Sequence, residues 1–347
     1  MGLFKVQHIK EIGGVQVNLD PVPELSELEQ IWPAKAVHND KAIDKIEDEA
    51  AYAEEKLDGE RLVIHFMDNG EKINRATTRR QSVKTGLLNE KTNNVPHLRS
   101  MWVEELAGTV VDGEVMPSTW GREQGTLGAL QSIMNSTYEN AIEKQEQYGF
   151  VQYKLFDVIK IKGEWCGHLP LSMRLRIREQ VLETINKAFP GQRFIDVPQS
   201  VTGKENFKPM FEKIVAAGGE GLVVKDLTKA YGDTNAWLKM KKEETFDVFI
   251  TGYEMSKSGE KYAGLIGTLL VSVYDDEGHV VEVGKVIPGN DEQRKQFTED
   301  FESIRGKVLE VKAQEATRNG RFRHGRILRW REDKGAEQCL LNQFNRE

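Results

Sequence analysis

The chain has little cysteine: of 347 residues only Cys166 and Cys339, far apart and without metal-ligand spacing. That scarcity excludes a disulfide framework and a cysteine-based zinc site, and it fits a reducing compartment. The seven histidines are scattered and suggest no metal cluster. Long apolar runs are missing too. The best, around Leu265 to Tyr274, falls short of the roughly 20 residues a membrane helix needs and reads as a strand. Met1 to Val6 carries neither an apolar core before a cleavage signal nor the Ser/Thr of a myristoylation motif. These absences lead to the expectation of a cytoplasmic protein with no membrane partner. An overall basic balance is also lacking, and the net charge of −7 disfavours non-specific polyanion binding.

What is present is ordinary for a soluble globular chain, 39% hydrophobic and 30% charged, at a length that allows two domains. Positive charge gathers locally. Arg75, Arg79, Arg80 and Lys84 fall in a stretch without an acid between Lys72 and Leu88, and Arg318, Arg321, Arg323, Arg326, Arg329 and Arg331 recur near the C-terminus. Each strip is either a solvated face or a contact surface for a polyanion.

The densest mixture of charge is Glu54-Glu55-Lys56-Leu57-Asp58-Gly59-Glu60-Arg61. A lysine is a nucleophile only as a free amine, and its reference pKa of roughly 10.4 keeps it protonated unless nearby cations or a bound metal lower that value. Arg61 would act in that direction. The acids act in the other and need separate work, such as holding metal or sugar hydroxyls. Alternating Lys and Glu also suit a solvated strand edge, and within these eight residues both readings stand.

Taken in order, residues 1–32 are a lead-in of mixed pattern interrupted by Pro21 and Pro23. A polar helix is expected over Lys41–Ala51, then a strand over Arg61–Phe66, an Asp68-Asn69-Gly70 turn and a return strand over Lys72–Thr77. In Thr109–Val115, two-residue periodicity puts Asp112 and Glu114 on one face and Val111 and Val115 on the other. Pro117 to Tyr148 reads as a surface excursion with a helix-like Leu127, Leu130, Met134 spacing. A strand over Val151–Val158 precedes amphipathic helices over Leu175–Phe189 and Phe207–Ala217. Glu220–Lys225 is a short buried strand, and Gly218-Gly219 before it fits no phosphate-loop pattern. Alternation in Trp237–Lys241 projects Trp237, Lys239 and Lys241 together, as a phosphate chain or a lysine-protected strand edge would use. After a boundary near 242–245, about five strands and a helix near Glu292–Ile304 suggest a small closed barrel of the OB type.

In this order the stretches resemble the motifs of the covalent nucleotidyltransferases, most closely the small ATP-dependent DNA ligases of bacteriophage type. Lys56–Arg61 looks like motif I, Asp112-Gly113-Glu114 like motif III and Phe156-Asp157 like motif IIIa. Glu220–Lys225 looks like motif IV, Lys239-Met240-Lys241 like motif V and Arg329–Lys334 like motif VI. The resemblance runs from about Trp32 to Lys334. It implies an α+β fold: an adenylation domain of antiparallel sheets and flanking helices over 33–243, then an OB-fold domain over 244–347.

The resemblance further implies that Lys56 attacks the α-phosphate of ATP and carries AMP, which passes to a DNA 5′-phosphate before the adjacent 3′-hydroxyl seals the nick. Glu54 would read the adenine amino group and Phe156 would stack on the base. Glu114 would engage ribose or metal-bound water, and Glu220 would help place a Mg2+ or Mn2+ ion. Lys239 and Lys241 would hold the α-phosphate. Arg61 would serve both nucleotide and nick phosphate, Arg79 the nick phosphate, and Asp58 the 3′ end. Asp333 and Lys334 would act on pyrophosphate as the barrel closes over ATP and Arg331 would bind the nucleotide, while Arg326 and Arg329 would meet DNA. Glu55 and Glu60 are expected to be solvent-facing bystanders. The implied partner is nicked duplex DNA, bound by a monomer. An mRNA-capping guanylyltransferase and an RNA ligase use the same lysine chemistry. Glu220 where capping enzymes resemble an Asp-Gly-Leu version, and Glu54 ahead of the lysine, favour the DNA ligase. A non-catalytic binding module would not need Lys56 together with Lys239 and Lys241.

Overall fold

The computed structural model describes residues 8–25, 28–120, 125–241, 244–256, 262–316 and 321–344. The chain divides into two compact units, Met1–Lys241 and Lys242–Glu347.

In the first unit the strands are β1 (Ile9–Ile12), β2 (Val15–Asn18), β3 (Ala51–Glu55), β4 (Glu60–Phe66), β5 (Asn74–Gln81), β6 (Leu88–Glu90), β7 (Val110–Met116), β8 (Gln152–Ile161), β9 (Glu164–Trp165), β10 (Ile195–Asp196), β11 (Ser200–Thr202), β12 (Gly221–Asp226) and β13 (Trp237–Lys241). Its helices are α1 (Asp40–Asp44), α2 (Pro96–Ser100), α3 (Leu127–Met134), α4 (Tyr138–Tyr148), α5 (Leu171–Ala188) and α6 (Phe207–Ala216). They build a seven-stranded sheet of order β10-β8-β7-β4-β5-β6, with β9 on β8, and a four-stranded sheet of order β11-β3-β12-β13.

Period-2 alternation explains the smaller sheet. Ala51 and Ala53 of β3, Leu222 and Val224 of β12 and Leu238 of β13 form one buried face, packed on Phe207, Met210 and Ile214 of α6. Burying each of the larger apolar side chains contributes about 1.5–3 kcal/mol, so this face fixes the register of what stands on the other. The larger sheet is covered on one face by a core that includes Leu62, Ile64 and Phe66 of β4 with Val111 and Val115 of β7. Gly59, between β3 and β4, has no room for a side chain: a Cβ there would stand 2.1 Å from the Val115 carbonyl.

The structure corrects several expectations. The Pro117–Tyr148 segment is no surface excursion, because Leu130, Ile133 and Met134 of α3 and Ala141 of α4 belong to the main core. Residues 121–124 lie outside the described part. The helix expected over Lys41–Ala51 stops at Asp44, and Ala51 already opens β3. Residues 9–18, unassigned from the sequence, form the β1–β2 hairpin, with Val15 and Val17 fully buried. Arg75 does not belong to an exposed basic strip; its side chain is 2% exposed and paired with Glu71 and Glu90.

The second unit is a closed barrel of β14 (Glu244–Met255), β15 (Ile266–Tyr274), β16 (Val280–Val286), β17 (Val308–Ala316) and β18 (Phe322–Trp330), in the order β14-β15-β16-β18-β17. Val248, Leu269, Val271, Val283, Leu309 and Val311 fill its interior. Between β16 and β17 lies α7 (Asp291–Glu299), started by an Asn290 and Gln293 capping box. The α+β class and the OB-like barrel expected from the sequence are both present.

Candidate active site

The face of the four-stranded sheet turned away from α6 is chemical, and the strand register arranges it in rows. Tyr52 pairs across with Lys225, which pairs with Trp237; Glu54 pairs with Val223, which pairs with Lys239. The last row is completed beyond the end of β3, where the Lys56 N–H donates to the Gly221 carbonyl at 2.8 Å and Gly221 pairs with Lys241. Gly221 is at φ +129, and a Cβ there would lie 2.3 Å from the Met240 carbonyl, so the row requires glycine. The Lys56 ammonium donates to Glu220, whose other oxygen accepts from Lys241 at 3.4 Å.

The larger sheet supplies the opposite wall of a cleft of about 390 Å³, lined by Lys56, Asp58, Arg61, Arg79, Glu114 and Phe156 with Glu54, Lys239 and Lys241. Phe156 is the extra residue of a bulge, since Leu155 pairs with Gly113 and Asp157 with Asp112. Bulges turn a side chain out of the regular alternation, which here brings the ring to the cleft. Arg61 is gripped by the fully buried Asp112 through Nε and Nη2, and Asp112 also accepts from the Tyr231 hydroxyl. The Arg61 guanidinium stands 4.5 Å from the centre of the Phe156 ring and 5.1 Å from that of Trp237. That commitment to Asp112 raises the Arg61 pKa despite its burial.

Charge in the cleft is unbalanced. Burial together with Lys241, Lys56 and Arg79 lowers the Lys239 pKa, so the lysine row carries more positive charge than its surroundings hold comfortably. Burial pushes the Glu114 carboxyl up to about 7, against the pull of Arg61 and Lys56. Glu114 and Glu220 offer oxygen donors only, the hard set that suits magnesium or manganese. A cation would relieve the burial cost of Glu114, so the residues fit a divalent metal.

A family model for the ATP dependent DNA ligase domain matches residues 33–241. The chain belongs to this ligase family. A DNA ligase of Thermococcus onnurineus is 29% identical over 320 residues, which are 84% of this chain and 53% of that protein. A DNA ligase of Methanothermobacter thermautotrophicus is 28% identical over 307 residues, 81% of this chain and 50% of its own length. The chain thus spans about half the length of these curated relatives. Among solved structures, a Lig E DNA ligase has a TM-score of 0.59 at 20% identity, covering 86% of this chain and 98% of that one. Pmar-Lig_Pre has a TM-score of 0.64 at 20% identity, covering 87% and 68%. At such identities the likeness is one of fold.

Within this ligase-family chain, the sequence-predicted residues fall into two groups. Glu54, Lys56, Asp58, Arg61, Arg79, Glu114, Phe156, Lys239 and Lys241 line one cleft, and Glu220 is bonded to two of them. Arg326, Arg329, Arg331, Asp333 and Lys334 belong to the barrel unit. There Asp247 accepts from Arg331 at 3.0 Å and from Lys334, and Arg331 also donates to Asp333 at 2.7 Å. The Arg331 hydrogen bond pulls the Asp333 carboxyl down to about 2. Arg326 and Arg329 are exposed, with Arg329 paired to Glu310; Arg318 lies outside the described residues.

Other placements differ from expectation. Glu55 and Glu60 are half-buried and line the cleft, so neither is a plain solvent-facing bystander. Asp275, Glu277 and His279, in the turn after β15, bring their ligand atoms within 4.8 Å of one another, a grouping not foreseen among scattered histidines. No motif marked Arg178 and Tyr52, which bond Glu54, Tyr231, which bonds Asp112, or Lys35, which lines the cleft.

No helix among the described residues is long and apolar enough to cross a membrane.

Proposed function

We propose that this chain is an ATP-dependent DNA ligase that seals 3′-hydroxyl/5′-phosphate nicks in duplex DNA. The observation that carries the reading is that Lys56, Lys239 and Lys241 line one cleft of a ligase-family domain while Glu220 accepts from both Lys56 and Lys241. Lys56 gives up a proton, for which Glu220 is the hydrogen-bonded acceptor, and its free amine attacks the α-phosphorus of ATP; the bond to the bridging oxygen breaks and pyrophosphate leaves. A 5′-phosphate oxygen of the nick then attacks the adenylate phosphorus and releases Lys56. Finally the 3′-hydroxyl attacks the 5′-phosphorus, forms the phosphodiester and expels AMP.

Positioning and charge neutralisation govern such transfers, and the cleft offers both. Lys239 and Lys241 neutralise the α-phosphate. Glu54 accepts from the adenine amino group, with Phe156 and Val223 available to the base faces. Asp58 orients the 3′ end, and Arg79 takes the nick phosphate. Arg61, through the amine not bound to Asp112, reaches ribose or phosphate. A magnesium or manganese ion, held by Glu114 and Glu220, would neutralise phosphate charge. Arg331, Asp333 and Lys334 act on the triphosphate, and Arg326 and Arg329 meet DNA. We assign 33–243 as the adenylation domain and 244–347 as the OB-fold domain of a cytoplasmic monomer.

The test is sealing of an end-labelled nicked duplex with ATP and magnesium. Joined product from the native chain and none from Lys56→Ala supports the reading. No product, or product from Lys56→Ala, contradicts it.

A further inference from the structure

Behind the base-reading carboxylate lies a buried charge cluster that none of the steps above employs. Glu54 is 2% exposed, yet it borders the cleft. Its Oε1 accepts from the Tyr52 hydroxyl at 2.9 Å and from Arg178 Nη1 at 2.6 Å. Its Oε2 accepts from Lys225 Nζ. A carboxylate has about four lone-pair positions, two on each oxygen. Oε1 is therefore saturated, and the acceptor position still to be filled belongs to Oε2.

Arg178 is itself fixed. It stands on the buried side of α5 between Arg174 and Val181, is 4% exposed, and donates through Nε and Nη2 to Glu179 at 3.1 and 2.8 Å. A planar guanidinium held on one edge presents the other in a fixed direction, which an ammonium on a flexible stem does not. The Tyr52 and Arg178 bonds together set the rotation of the Glu54 carboxylate about its own axis.

We propose that Arg178 is a positioning residue that makes Glu54 selective for a purine carrying a 6-amino donor, by saturating Oε1 and orienting Oε2. The inference rests on the ligase reading of Glu54. A fixed acceptor rewards an amino group, is left unpaired by hydrogen at that position and opposes a 6-oxo group. A carboxylate free to rotate discriminates less. Sites built around a hydrogen bond reject analogues lacking it far more strongly than apolar pockets do.

The experiment compares Lys56 adduct formation from ATP, from purine riboside triphosphate, which lacks the 6-amino group, and from inosine triphosphate. For the native chain kcat/KM should favour ATP over both. In Arg178→Gln the ATP value should drop by about 100-fold while the purine riboside value is unchanged, collapsing the preference. The unchanged analogue value shows that the variant is folded. Arg178→Lys, which keeps charge without the fork, should recover only part of the preference. An equal drop for ATP and the analogue would overturn the inference and leave the ligase reading standing. No adduct from ATP with the native chain would overturn both. Should Arg178→Gln fail to fold, Tyr52→Phe removes the other Oε1 donor, and an unchanged ATP preference there overturns the inference.

Discussion

The Lys56 ammonium donates to the Glu220 carboxylate, from a residue 164 positions away in the chain. The pair is partly buried, 17% and 27% exposed, at the point where β3 ends and β12 begins. Glu220 also accepts from Lys241, so one carboxylate sets the spacing of two lysines that would face the same phosphate.

Glu220→Gln should therefore slow formation of the Lys56 adduct by about 100- to 1,000-fold, the range found when one preorganised electrostatic group is removed. Single-turnover labelling with ATP measures it. An unchanged rate would mean that the pair is incidental to the reaction.

Arg79 and Arg75 share β5 but not a role. Arg79 is exposed and borders the cleft, so Arg79→Ala should weaken nicked-duplex binding and reduce the slope of log affinity against log salt by about 1. Arg75 is buried between Glu71 and Glu90, so Arg75→Ala should lower stability by about 3 kcal/mol and leave the salt slope alone. Binding titrations at several salt concentrations, with urea unfolding of both variants, check the contrast.

The acids around Lys56 should also divide. Glu55 accepts from Gln199 at 3.4 Å, a long bond at the edge of the cleft, and Glu55→Gln should seal nicks at close to the native rate. Asp58→Asn should not, if Asp58 orients the 3′ end. Sealing of a pre-adenylated nick isolates that step, and equal rates for the two variants would contradict the division.

His97 should make folding pH-dependent. It is fully buried, its Nε2–H donates to the Val151 carbonyl at 2.9 Å, and burial pushes its pKa down to about 3. Above about pH 6.5 the ring is neutral in both folded and unfolded chains and adds no pH dependence. As pH falls from there towards 3, the unfolded chain takes up a proton that the native state refuses. Stability should fall by about 1.4 kcal/mol per pH unit from this group. His97→Gln keeps a donor for Val151 and should flatten the decline seen by urea unfolding; an unaltered decline would show that His97 does not cause it.

Much of this was legible because strands repeat every two residues. Alternation alone put Trp237, Lys239 and Lys241 on one face and Leu238 on the other, and the register of β12 and β13 agrees. The barrel was readable for another reason, as about five short strands following a boundary near 242–245. What local pattern could not show are partners distant in sequence: Arg178 is 124 positions from Glu54, and Tyr231 is 119 from Asp112. Buried charge misleads in the same way. Arg75 looked like a surface cation because Glu90, which neutralises it, comes from another strand. The helices of 127–148 were misjudged because polar residues such as Gln145, fully buried and bonded to the Asn94 carbonyl, mask a core-facing side.

The most direct test is covalent labelling of Lys56. The chain is incubated with magnesium and either α-labelled ATP or α-labelled GTP, denatured, and mapped by peptide mass analysis. The expected result is an AMP adduct on Lys56, formed from ATP and lost in Lys56→Ala. An adduct from GTP alone, or one that persists in Lys56→Ala, would contradict the account.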